Sequence, residues 1–173
     1  MLKNEQHIYE TNDYKIINPN EGLQNEILNK LNSYIIMNFN DLHKFWFSNP
    51  RIWFNSTPND DIIVKNNFEH LLNHQIECNN NNALSLILLY DQVTRHIFRN
   101  NKENIKQYDD KALKITLEIL PTIENYNPEE RCFILMPLRH TFDENNLKIC
   151  LNYIYKWRND NDVTIYKRFY EAT

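Results

Sequence analysis

The stretch YDQVTRHIFR, residues 90–99, sets an acid, an amide and two arginines directly behind the apolar run ALSLILLY. Asp91, Arg95 and Arg99 recur at i, i+4 and i+8, so a helix places them in one stripe with Gln92 beside it. Two kinds of chemistry fit that stripe. Each arginine offers a planar fork of donors that grips a carboxylate or a phosphate, which makes an anion clamp. Alternatively, Asp91 and the arginines form an internal network that ties the helix to its neighbours, because an unpaired charge beside an apolar run is costly. A second polar group stands in MPLRHTFDE, residues 136–144, where Arg139 and His140 precede Asp143 and Glu144. A histidine oriented by a carboxylate is a general base, and His140 with Asp143 is the candidate pair. The plainer role for these acids is capping the next helix, with Thr141 and Glu144 as a capping box.

Other chemistry-bearing residues read as structure. His70 and His74 are four apart, a spacing that holds zinc on a helix, but no glutamate completes an HExxH frame and no third ligand is evident. No metal site is expected, and no cofactor. Cys78, Cys132 and Cys150 are an odd set without a CxxC pair, which suits a reducing compartment and small core residues. Trp46, Phe47, Trp53 and Phe54 form a dense aromatic cluster; it could stack on a base or sugar, and packing between the first helices is the simpler role.

The elements that position these groups read as helices. Leu23, Ile27, Leu31 and Ile35 step by four within residues 22–36. Pro58 opens a helix whose apolar face is Val64, Phe68, Leu71 and Leu72. Residues 83–98 are apolar nearly all round in their first half, which predicts a central helix. Ile105, Tyr108, Ala112, Ile115 and Ile119 mark the next, stopped at Pro121. Asn127 is an N-cap with Pro128 at N1 and two glutamates in the first turn. Leu147, Cys150, Leu151, Ile154 and Tyr155 define a further face, and a last helix runs from about Val163 to Tyr170. Leu86, Ile87, Leu89, Phe133, Leu135, Leu147, Leu151 and Ile154 are the expected core.

Composition narrows the function classes. The chain has 173 residues and a formal charge of −4, which disfavours a dominant phosphate-backbone surface; nucleic acid is not an expected partner. Gly22 is the single glycine, so neither a GxxxxGK[ST] phosphate loop nor a GxGxxG fingerprint exists. Glycine-dependent hairpins are equally disfavoured, which argues against an all-β fold. The N-terminus lacks the apolar core of a secretory signal, and the longest apolar stretch, residues 84–90, is too short to span a bilayer. A cytoplasmic, non-membrane location is expected. The 29 asparagines fit coding by an AT-rich genome, such as that of a large DNA virus, a protist or a bacterium; a viral source would place the protein in the host cytoplasm.

In order and spacing, FWFSNPRIWF (45–54), DDIIVKNNF (60–68), LILLYDQVTRHIFR (86–99), YDDKAL (108–113) and FILMPLRHTFD (133–143) resemble the DUF924 family. DQ-x-x-R-x-x-x-R is the most specific of these blocks. The resemblance implies an all-α array of antiparallel helical hairpins, tetratricopeptide-like, over residues 40–173, with residues 1–39 an N-terminal extension whose one helix packs on the domain. It also implies that Asp91, Gln92, Arg95, Arg99 and His140 share a polar cluster. Two departures stand out. The family has a glutamate two residues after the histidine, where this chain has Phe142. The family's FGRFPHRN-like C-terminal segment has no counterpart after IYKRFYEAT, which reads as a shortened chain with an open groove. The expected role is therefore protein binding or scaffolding, with a protein partner. The competing reading is a small hydrolase-like enzyme that takes a phosphorylated or carboxylated substrate through the Arg/His/Asp cluster.

Overall fold

The computed structural model describes residues 19–157 and 164–173. Every regular element among them is helical. The chain divides into two units, residues 1–33 and 34–173. Residues 1–18 of the expected N-terminal extension, and Val163, lie outside the described residues.

Helix α1, Pro19–Ser48, is longer than the periodicity of residues 22–36 indicated. Within the first unit, Leu23, Ile27, Leu28 and Leu31 are exposed. The second unit begins in the same helix, where Phe39, Leu42 and Trp46 are buried. A short 3-10 turn, Pro50–Trp53, leads to α2, Pro58–Phe68. The cap of α2 is Thr57, one residue ahead of Pro58. Thr57 and Asp60 form a reciprocal capping box, and Arg51 pairs with Asp60 from outside. The helix changes to a 3-10 turn at Glu69–Asn73, so His70 and His74 do not share an α-helical face. No group of metal-binding side chains occurs among the described residues.

Residues 83–97 run as one helical rod with an irregular middle. Helix α3, Ala83–Ile87, passes into a π-helical segment, Leu88–Val93, and continues as α4, Thr94–Ile97. A π turn closes its hydrogen bonds over five residues instead of four and so holds one residue too many. Every residue of the segment is buried, Asp91 and Gln92 included. Helix α5, Lys102–Ile119, packs on the rod and on α6, Pro128–His140. Asn127 caps α6 with Glu130, as the residue types indicated. Helices α7, Glu144–Trp157, and α8, Thr164–Ala172, pack on α6 and on each other. The core centres on the rod and α6.

Two expectations are corrected here. Leu147 and Leu151 are only half-buried; Cys150, Ile154 and Trp157 supply the buried face of α7. The Thr141–Glu144 capping box is replaced by Asp143, whose Oδ1 accepts from the backbone N–H groups of Asn145 (2.9 Å) and Asn146 (3.1 Å). Thr141 instead accepts from the N–H of Asp143 at 3.2 Å. The chain must turn sharply between α6 and α7 to allow this, and Phe142 takes φ 53° while remaining 83% exposed. A side-chain-bearing residue in that left-handed region gives up about 1–2 kcal/mol. Phe142→Gly is therefore expected to stabilise the protein by about 1 kcal/mol, seen as a rise of roughly 2–4 °C in melting temperature. A fall in melting temperature would mean that the phenyl ring contributes more than the backbone gains.

Candidate functional site

Asp91 is the centre of the polar cluster. It sits in the π segment, 0% exposed, and both of its oxygens are occupied. Oδ1 accepts from His140 Nδ1 at 2.7 Å and from Arg95 Nη2 at 3.1 Å. Oδ2 accepts from Gln92 Nε2 at 2.5 Å. Burial pushes the Asp91 carboxyl up, but His140, Arg95 and Gln92 together outweigh burial and hold it below the usual carboxylate range. An ionised carboxylate has only lone pairs, so the proton of the His140 bond resides on Nδ1. The neutral ring then carries its lone pair on Nε2. His140 is the last residue of α6, where a histidine also meets the negative end of the helix dipole. The carboxylate that orients it is Asp91, not the sequence-adjacent Asp143, which is engaged in capping α7.

One turn further along, the arrangement repeats with different residues. Asp61, on α2, accepts from His96 Nδ1 at 2.7 Å and from Arg99 Nε and Nη2, each at 2.6 Å. Ser56 Oγ accepts a further bond from Arg99 Nη2 at 2.7 Å. Burial raises the Asp61 carboxyl, yet Arg99 and His96 leave it lowered in balance. Asp61 in turn raises the Arg99 guanidinium. Burial lowers His96, and Asp61 only partly offsets this. The ring of Trp46 meets His96 edge-on, 5.8 Å between centroids at 80°. Arg95 has a second acceptor in Asp109, on α5, at 2.7 Å. Burial raises the Asp109 carboxyl despite that pairing.

These side chains border one cleft of about 250 Å³. Its polar wall is Arg95, Arg99, Arg139, His96, His140, Gln92 and Ser56; Ile52, Trp53, Phe54 and Met136 form the apolar wall. Asp61, Asp91 and Asp109 do not line it. The acids hold the cations from outside this lining, and the ionisable groups that face the cleft are guanidinium and imidazole; Asp61 lines the adjoining cavity with His96 and Arg99. Donor capacity is left over. Among the described residues, Arg95 Nε is buried without an acceptor, and only Nη2 of this guanidinium is engaged. Arg139 lies over the Phe169 ring of α8 at 5.8 Å, and burial lowers its guanidinium.

The aromatic cluster divides between two duties. Trp46 is fully buried, and Trp46, Phe47 and Trp53 surround Phe133 of α6 edge-on, with centroids 5.6, 5.6 and 5.0 Å from it. Trp53 Nε1 also donates to the Trp46 carbonyl at 2.9 Å. Phe47 and Trp46 are packing; Trp53 and Phe54 reach the cleft. Cys132 and Cys150 are buried thiols that burial pushes up, Cys150 to about 12, so neither is a nucleophile near neutral pH. Cys78 is exposed and away from this cleft.

The structure thus brings Asp91, Gln92, Arg95, Arg99, Arg139 and His140 to one place. It adds three residues that sequence reading passed over: Ser56, Asp61 and His96; Asp109, one of several acids the sequence offered as an internal acceptor for the arginines, takes that place at Arg95. His96 lies within YDQVTRHIFR, next to Arg95, but its one-residue offset from the i, i+4 stripe hid it. Asp61 follows the capping Asp60 in the first turn of α2, and nothing local in the sequence points it at His96.

Residues 42–172, well over half of the chain, match the family model described as "Bacterial protein of unknown function (DUF924)". No curated protein and no solved structure matches the chain.

Proposed function

Because the chain belongs to the DUF924 family, whose description assigns no activity, we propose from the site itself that the cleft binds a small anionic molecule. The ligand class is a phosphorylated or carboxylated metabolite, and His140 is the proton-transfer group that acts on it. One observation carries this reading. The ionisable side chains lining the cleft are three arginines and two histidines, with no carboxylate among them. A purely structural network would have its acids and bases facing each other and closed. Here each acid meets its histidine or arginine outside the lining of this cleft, and Arg95 retains Nη1 without an acceptor among the described residues. Donors pre-aimed at an opening cost little to organise when an anion arrives. The apolar wall of Trp53, Phe54 and Met136 suits the organic part of such a ligand.

Thermal melts and calorimetry with inorganic phosphate and with small mono- and dicarboxylates test this. The expected result is stabilisation that grows with ligand concentration, worth about 2.7 kcal/mol at one hundred times the dissociation constant. Arg95→Ala together with Arg99→Ala is expected to abolish it. No stabilisation by any of these anions at millimolar concentration would overturn the proposal.

The protein-binding role keeps support from a separate feature. Leu23, Ile27, Leu28 and Leu31, all in the first unit, are exposed, with Leu23 at 59%. Several large apolar side chains along one helix are a surface that a partner covers. Analytical ultracentrifugation and a pull-down address that surface without touching the cleft. No helix among the described residues is long and apolar enough to cross a membrane.

A further inference from the structure

We infer that His96, held by Asp61, is a second proton-transfer group in the same cleft, so that a phosphate ester bound there is cleaved by water between two histidines. This rests on the anion-binding reading above and adds a reaction to it.

The argument begins with the likeness of the two dyads. Each histidine gives Nδ1 to a carboxylate at 2.7 Å, and each of those carboxylates also holds an arginine. Both carboxyls are lowered, so both accept, and in both neutral rings the lone pair falls on Nε2. Neither Nε2 has a hydrogen-bond partner among the described residues, and neither is sealed from solvent, since both rings border the cleft. The two units are independent in the chain. One joins the π segment to the end of α6; the other joins α4 to α2. A structural histidine needs no such repetition, and its second nitrogen is better placed against a carbonyl than against an opening. The ring of His96 is further fixed by the edge contact with Trp46.

The ligand class follows from the donors. Arg95 keeps Nη1, Arg99 keeps Nη1, and Gln92, Ser56 and Arg139 border the same space. A carboxylate has two oxygens to share among them. A phosphoryl group has three non-bridging oxygens and a larger negative charge, and arginine forks match it. Burial favours the neutral form of His96, which makes it the proton acceptor; the donor role falls to His140. In the step, water oxygen forms a bond to phosphorus as His96 Nε2 takes a proton from the water. The bond from phosphorus to the alkoxy oxygen breaks, and His140, which must enter this step doubly protonated beside the Asp91 carboxylate, gives its Nε2 proton to that oxygen. Alcohol and inorganic phosphate leave. The protons left on His96 and missing from His140 are restored by exchange with solvent. Arg95 and Arg99 offset charge on the non-bridging oxygens throughout.

The test uses the full chain. The Cε1–H resonances of His96 and His140, assigned with His96→Gln and His140→Gln, are followed by NMR as inorganic phosphate is added. Both are expected to shift, and both titration midpoints to rise, because an anion beside a ring favours its charged form. If phosphate moves His140 and leaves His96 unmoved, the second dyad is wrong while anion binding stands. If neither moves and phosphate gives no thermal stabilisation, both readings fall. Hydrolysis of p-nitrophenyl phosphate then tests the reaction. The wild-type rate is expected to rise and then fall with pH. His96→Gln is expected to lose roughly 10²–10⁴ of the rate and the rising acid limb, while still binding phosphate. Asp61→Asn, which acts through His96, is expected to lose less of the rate and to displace that limb. Unchanged pH profiles in both variants would overturn the inference. So would a wild-type chain that binds phosphate and leaves the ester intact.

Discussion

Asp91→Ala is expected to lower stability by about 3 kcal/mol, a fall of roughly 10 °C in melting temperature. The physical reason is what the substitution leaves behind. The carboxylate is wholly inside the protein and takes hydrogen bonds from His140, Arg95 and Gln92. Its removal leaves the Gln92 amide without its acceptor in a buried setting. It also leaves Arg95 with Asp109 alone and the His140 ring without the group that orients it. The pH dependence carries a sign. The folded carboxyl is lowered relative to an unfolded aspartate. Its stabilisation is therefore present above an unfolded pKa of about 3.9 and is lost as pH falls through the folded value. Wild type and variant should differ most from neutral pH down to about pH 4 and draw together in stronger acid. Melts by circular dichroism at a series of pH values check this. Equal melting temperatures at pH 7 would show that the carboxylate is not anchoring the cluster.

Phe133→Ala is expected to be at least as damaging, about 4 kcal/mol. Phe133 is 1% exposed, and three other aromatic rings meet it edge-on. Truncation removes the buried ring, opens a cavity that stiff indoles cannot close, and forfeits part of each edge contact, about 0.5–1.5 kcal/mol apiece. The effect reaches the cleft, because Trp53 stands between Phe133 and the opening. Urea unfolding followed by tryptophan emission measures both consequences. The midpoint should fall, and the native emission of Trp46 and Trp53 should shift to longer wavelength. A loss below about 1 kcal/mol would mean that the neighbours collapse onto the gap. Phe133→Leu should recover part of the loss.

The helices were legible because their determinants are local. Asn127, Pro128 and Glu130 specify the start of α6 within four residues, and Pro58 does nearly the same for α2. The apolar faces of α5 and of the central rod follow a simple period. Leu147 and Leu151 follow the same period and still remain half-buried, because periodicity says which residues share a face and not what lies opposite. The stripe of Asp91, Arg95 and Arg99 was visible for the same local reason. The partners were not. Asp61 lies thirty-odd positions before His96 and Arg99, and only tertiary packing joins them; Asp109, fourteen after Arg95, was one of several acids on offer, and packing chose among them. His140 illustrates the limit well. A carboxylate three residues away attracted the pairing on paper, but helix α7 needed that carboxylate at its first turn, and a buried one forty-nine positions back took the ring instead.

The extra residue in Leu88–Val93 has a consequence for how this chain tolerates change in length. Excising one residue there would let the rod continue in uninterrupted α register. By the measure of backbone hydrogen bonding, the result would be a better helix. A π turn spreads about the rotation of five α residues over six, so the part of the rod beyond the excision would keep its phase relative to α3. Arg95 would stay beside Asp109, and His96 and Arg99 beside Asp61. The extra residue is thus absorbed where it lies, in the segment that carries the buried Asp91 and Gln92. A variant shortened there could retain its fold, gain helical content and keep the outer pairs, while the surroundings of the buried carboxylate alone are rebuilt.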